Sequence, residues 1–81
     1  MEDWAMKGLI VEIVRAIVDQ PEAVSVNVIE SDQTAVLEVS VAKTDIGKVI
    51  GKRGRTAQAI RTILAAAAGK THKRYFLEII D

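Results

Sequence analysis

Two glycines three apart, Gly51 and Gly54, enclose two cations, Lys52 and Arg53; Val49-Ile50 precedes them and Arg55-Thr56-Ala57-Gln58-Ala59-Ile60 follows. Glycine has no Cβ, so at both corners the chain can take backbone angles that other residues resist, and a phosphate chain can approach the main-chain N–H groups. A helix starting near Gly54 and Arg55 adds free N–H donors and a partial positive charge. Lys52 and Arg53 can then pair with phosphates without reading a base sequence. The chemistry on offer is a clamp on a polyanion backbone. Ile46, Val49, Ile50, Ala57 and Ile60 can form an apolar groove wall beside it.

The distribution of charge agrees with such a clamp. Eleven basic and eleven acidic residues give a formal net charge of zero, which taken alone argues against nucleic acid, because phosphate binding depends on Lys and Arg releasing counterions. The average hides a segregation. Residues 43 to 74 hold Lys43, Lys48, Lys52, Arg53, Arg55, Arg61, Lys70, Lys73 and Arg74 against one acid, Asp45, so that 9 − 1 = +8, and the remainder sums to −8. Charge runs are commonly solvated faces, but so complete a separation in a short chain favours a polyanion-binding face.

Other chemistries find less support. Leu64-Ala-Ala-Ala-Ala-Gly-Lys-Thr71 superficially matches a phosphate-binding P-loop, but Leu64 stands where the first glycine is needed and four alanines favour a continuing helix. Lys70, Lys73 and Arg74 flank the ligand groove in one reading and serve as helix C-terminal cations in the other. His72, the one histidine in a chain without cysteine, reads as an exposed loop residue, so no metal is expected and no cofactor is implied. Asp45 beside Lys48 reads as a cap or surface pair, and no nucleophile-base-orienter set emerges. Trp4, Tyr75 and Phe76 are the only aromatics and are assigned to core or interface, too few for base-stacking platforms.

The elements that must position the clamp follow from periodicity. Met6, Ile10, Ile13, Val14, Ile17 and Val18 recur at helical spacing between Asp3, a candidate cap, and Asp19, and Pro21 sets the end. Val24, Val26 and Val28, then Ala35, Leu37, Val39 and Val41, alternate with polar neighbours on either side of Ser31-Asp32-Gln33, which predicts a hairpin. Thr44 or Asp45 caps a short helical turn through Ile46 and Val49; the two glycines interrupt it; Arg55 to Ala68 resumes a longer helix that Gly69 ends. Tyr75 to Ile80 is the last strand. The order α-β-β-α-α-β predicts an α+β two-layer domain, with helices on one face of a three-stranded mixed sheet. Right-handed crossover makes the second and third strands parallel.

With this order in place, the stretch Val49 to Ile60 resembles the signature of the KH domain: apolar-Ile-Gly-x-x-Gly followed by apolar residues at helical spacing, here Ala57 and Ile60. The whole chain looks like the type II KH arrangement, and among such proteins it is most similar to the small bacterial single-KH proteins of the KhpA type. The resemblance implies one KH domain over residues 1–81 and a non-catalytic grip on about four nucleotides of single-stranded RNA. It also implies a chaperone or post-transcriptional role. The residues it points to are Gly51, Lys52, Arg53, Gly54, Lys48, Arg55, Ile50, Ala57, Lys70 and Lys73. Single-stranded DNA remains open, since a phosphate clamp is common to both.

One further feature points to a protein partner. Ile60, Leu64, Ala67 and Ala68 can face the sheet, but Ala59, Ile63 and Ala66 leave a second apolar stripe on the same helix. Either the first helix covers it, or it packs across a homodimer or against another KH-containing protein. On that rival reading the chain is a protein-interaction module with residual nucleic-acid binding. No cysteine speaks for an oxidising compartment, the start Met1-Glu2-Asp3-Trp4 is acidic where a secretory signal is basic, and no apolar run nears the roughly 20 residues needed to cross a bilayer. The expectation is a soluble, cytoplasmic protein with no membrane partner.

Overall fold

In the computed structural model, which describes residues 3–69 and 71–80, the amphipathic N-terminal segment forms helix α1 (Asp3–Ile17). The side chains of Asp3 and Trp4, and Lys70 altogether, lie outside the described residues, and with them the cap expected of Asp3 and the core or interface role expected of Trp4. Met6, Ile10, Val14 and Val18 turn inward and are buried, while Ile13 and Ile17 pack at the margin of the core. The helix stops two residues short of Asp19, because the N–H groups of Asp19 and Gln20 turn away to the Asp45 carboxylate before Pro21 opens a short 3-10 turn.

Strands β1 (Ser25–Glu30) and β2 (Thr34–Ser40) form the expected hairpin, antiparallel with Val26 opposite Val39 and Val28 opposite Leu37. Their inward residues meet α1; the outward ones stay exposed or half-buried, as period-two alternation requires. After a 3-10 turn at Lys43–Asp45 come helix α2 (Ile46–Ile50), a tight turn at Lys52–Gly54, and helix α3 (Arg55–Ala68). Strand β3 (Arg74–Ile80) then lies parallel to β2, Leu77 beside Leu37, in a sheet of order β1-β2-β3. The fold is α+β, with three helices and a three-stranded mixed sheet in the order α-β-β-α-α-β, as a KH domain has.

The core lies between the helices and one sheet face, where Met6, Ile10, Val14, Leu37, Val39, Val49, Ile60 and Leu64 form one cluster. Burying a Leu, Ile or Val side chain removes about 1.5–3 kcal/mol of apolar exposure each, so this cluster fixes the positions of all three helices. Val49 of α2 and Ile60 of α3 belong to it; they therefore hold the turn between those helices at a set height above the end of the sheet. The P-loop lookalike is closed off as well. Leu64 to Ala68 are α3 itself, and the Thr71 hydroxyl lies 2.8 Å from the Ala68 carbonyl and 3.1 Å from that of Lys73, closing the helix end.

Candidate nucleic-acid interface

The turn between α2 and α3 is built from three positive-φ residues. Gly51 has φ 79 and ψ 168, a conformation open in practice only to glycine, and a Cβ there would come within 2.2 Å of Thr56 Oγ1. Gly54 sits in the left-handed region at φ 74, ψ 12, with open space where a Cβ would go. Arg53, between them, is also left-handed at φ 59, ψ 26. Sequence reasoning did not reach this feature, since nothing marks an arginine for that conformation.

The main-chain donors divide accordingly. Gly51 N–H closes α2 onto the Gly47 carbonyl at 2.8 Å, and Gly54 N–H closes the turn onto the Gly51 carbonyl at 3.0 Å. The N–H groups of Lys52 and Arg53 are not used by that turn. At the start of α3 no side chain caps the first N–H groups, because the N-cap is Gly54. Arg55 N–H closes back onto the Lys52 carbonyl, and beyond it a helix of 14 residues presents N–H groups without a side-chain cap and the positive end of its dipole beside the exposed side chains of Lys52, Arg53 and Arg55. An anion approaching here meets N–H groups and cations together.

Other expected site residues are placed unequally. Lys48 is exposed on α2 near the turn, and its ammonium pairs with Asp19 at 3.4 Å, both side chains well solvated. The pairing expected between Asp45 and Lys48 is not formed. Asp45 is fully buried, and its two carboxylate oxygens accept from Asp19 N–H at 3.2 Å and Gln20 N–H at 3.0 Å. Although Asp45 occupies the N-cap position of α2, it makes no cap bond there, and neither does Thr44, whose hydroxyl accepts from Gln20 Nε2 at 3.2 Å. The acid ties the end of α1 to the start of α2. One signal for this was visible: Asp45 is the single carboxylate in a run of nine cations.

The groove wall is narrower than the spacing suggests. Val49, Ala57 and Ile60 point into the core, whereas Ile50 is 39% exposed and Ile46 half-buried, so these two are left to face a ligand. Lys73 lies at the other end of α3, about 20 Å from the turn at 1.5 Å per residue, and its ammonium pairs with Glu30. The basic segment therefore forms two clusters, with Arg61 exposed on α3 between them. His72 is exposed, and among the described residues no group of three His, Cys, Asp or Glu side chains gathers to hold a metal. The Ala59, Ile63 and Ala66 stripe is exposed, Ile63 by 44%; α1 does not cover it.

Known proteins give the same assignment. The family described as "KhpA/KhpB, KH domain" matches residues 7–79. The chain is 53% identical to the RNA-binding protein KhpA of Caldanaerobacter subterraneus over 93% of this chain and all of that one. It is 51% identical to the protein of the same name from Borreliella burgdorferi, over 90% of this chain and 89% of that one. With the Bacillus subtilis RNA-binding protein KhpA it shares 48% over the full length of both. No solved structure is a significant match. A family match spanning the helices, the sheet and the glycine turn, with relatives this similar along their whole length, leaves one conclusion: the chain belongs to the KhpA/KhpB KH-domain family.

Proposed function

We propose that this protein is a non-catalytic binder of single-stranded RNA that grips backbone phosphates with the turn Gly51 to Gly54, the exposed cations Lys52, Arg53 and Arg55, and the uncapped start of α3. The observation that carries this reading is the left-handed pair Arg53 and Gly54, set directly before a helix whose first N–H groups have no side-chain cap. Ile50 and Ile46 supply the apolar wall, and Lys48 a further cation once it leaves Asp19. In this reading Lys73 lies a helix length away and touches only a longer strand. The relatives are named RNA-binding proteins, which favours RNA over DNA as the ligand. With few base-edge donors near the turn, sequence selectivity is low, and the cellular role is that of an RNA chaperone or post-transcriptional regulator in the cytoplasm.

A second reading has its own observation. The exposed stripe Ala59, Ile63 and Ala66 on α3 suits close helix packing against a second copy or another KH-containing protein. Titrating the 15N-labelled protein with a short randomised RNA separates the two. Clamp binding predicts that the amides of residues 50 to 57 move first and saturate; unmoved amides there, with Ile63→Asp abolishing partner association while RNA has no effect, would make the helix stripe the working surface.

A further inference from the structure

Among the described residues Lys52, Arg53 and Arg55 form no ion pair, whereas Lys48, about one helical turn before Gly51, has its ammonium 3.4 Å from the Asp19 carboxylate. The acid is brought there by a built contact. Its N–H and that of Gln20 donate to the two oxygens of the fully buried Asp45, and Gln20 Nε2 donates to the Thr44 hydroxyl at 3.2 Å. These bonds join residues 19 and 20 to the 3-10 turn that leads into α2, the helix carrying Lys48. The backbone of Asp19 is thereby fixed, while its side chain stays 77% exposed and that of Lys48 44%. A pair so exposed adds little to stability, since water screens it and the lysine loses freedom. Its effect falls on the anion that comes to Lys48.

We infer that Asp19 is a positioning residue for the clamp: it holds Lys48 and competes, as a carboxylate built into the fold, with the RNA phosphate for that one ammonium. The inference rests on the phosphate-clamp reading given above. A free lysine neutralises a phosphate and so frees a cation condensed on the strand, and that release drives binding at low salt. Lys48 with Asp19 beside it is close to a neutral pair, so a phosphate placed there keeps most of its own counterion. Asp19 cannot leave as a solution ion would, because its backbone is tied to Asp45; when displaced, it remains nearby as a second negative charge. The grip therefore falls to Lys52, Arg53 and Arg55, which no acid covers. Asp19 keeps the hold on RNA weaker and less dependent on salt than the number of cations around the turn implies, and strands exchange more readily for it. Glu22, the next acid along the chain, is exposed in the 3-10 turn at Pro21–Ala23 and forms no ion pair among the described residues. It carries the same charge without the contact.

The test titrates a short labelled single-stranded RNA of randomised sequence with the whole chain over a series of salt concentrations, comparing the parent with Asp19→Asn, Glu22→Gln, Lys48→Ala and the Asp19→Asn, Lys48→Ala double variant. Asp19→Asn keeps the N–H that Asp45 accepts, and circular dichroism checks that every variant is folded. Asp19→Asn should bind about two- to fivefold tighter at low salt, the range that loss of an exposed competing pair allows. Its log–log salt slope should steepen by roughly 0.7, the value of one added phosphate contact on a single strand. In the Lys48→Ala background the same substitution should change neither affinity nor slope, and Glu22→Gln should leave the slope of the parent unchanged. No tightening by Asp19→Asn, a gain that persists without Lys48, or an equal gain from Glu22→Gln would overturn the proposal, the last two by reducing it to net charge. A Lys52→Asp, Arg53→Asp arm separates the two levels. Binding lost there while Asp19→Asn matches the parent sinks the role of Asp19 alone; binding kept there sinks the clamp and this proposal with it.

Discussion

Arg53 is held at φ 59, ψ 26, where a side chain costs about 1–2 kcal/mol relative to glycine. Its exposed guanidinium repays nothing inside the fold, so stability and binding separate at this residue. Arg53→Gly should keep or raise stability, by up to about 1 kcal/mol after the added freedom of the unfolded chain is counted, and should weaken RNA binding; urea unfolding and a binding titration on the same sample check both signs. The two glycines part in the same way. Gly51→Ala meets Thr56 and a glycine-only conformation together and should cost more than about 2 kcal/mol, whereas Gly54→Ala meets open space and only left-handed strain, about 1 kcal/mol. Both glycines were legible in the sequence from their spacing and type. The strain on Arg53 was not, because it is imposed by the closure between two helices whose ends are fixed elsewhere.

At the scale of elements, α2 is too short to hold itself: five residues fall well below the length at which an isolated helix persists. It is kept in place by Val49 in the core and by Asp45, through which the α1 terminus and α2 share one buried carboxylate. Asp45→Ala strands two backbone N–H groups and should cost about 2–4 kcal/mol, with amide exchange at residues 46 to 51 accelerated. Lys48→Ala removes an exposed, solvent-screened pair and should change stability by no more than about 0.5 kcal/mol. Helix and strand positions were legible because period-3.6 and period-2 patterns reach burial directly: α3 was read at its observed bounds, and the hairpin and the parallel third strand follow from alternation and crossover. The role of Asp45 was not, beyond its standing as the single carboxylate among nine cations, since its bonds run to residues 25 and 26 positions away.

Across the whole molecule, the separation of +8 from −8 along the sequence does not become one basic patch, since Lys48 pairs with Asp19 and Lys73 with Glu30 from the acidic part of the chain. The fold carries the cations to both ends of α3, so a spacing count overstates how many surround the turn. Likewise the alternatives left open for the second stripe of α3 are settled against α1, which packs elsewhere and leaves Ile63 in solvent. Whole-molecule placement of this kind depends on where a helix points after it is packed, which a one-dimensional pattern does not contain.

The most direct measurement is the fluorescence anisotropy of a short labelled RNA, and of the matching DNA, at two salt concentrations, with the parent protein and a folded Lys52→Asp, Arg53→Asp double variant. A clamp on three or four phosphates predicts a log–log salt slope of roughly −2 to −3 for the parent and a loss of binding in the variant, while equal binding by both proteins, or by neither, would contradict it.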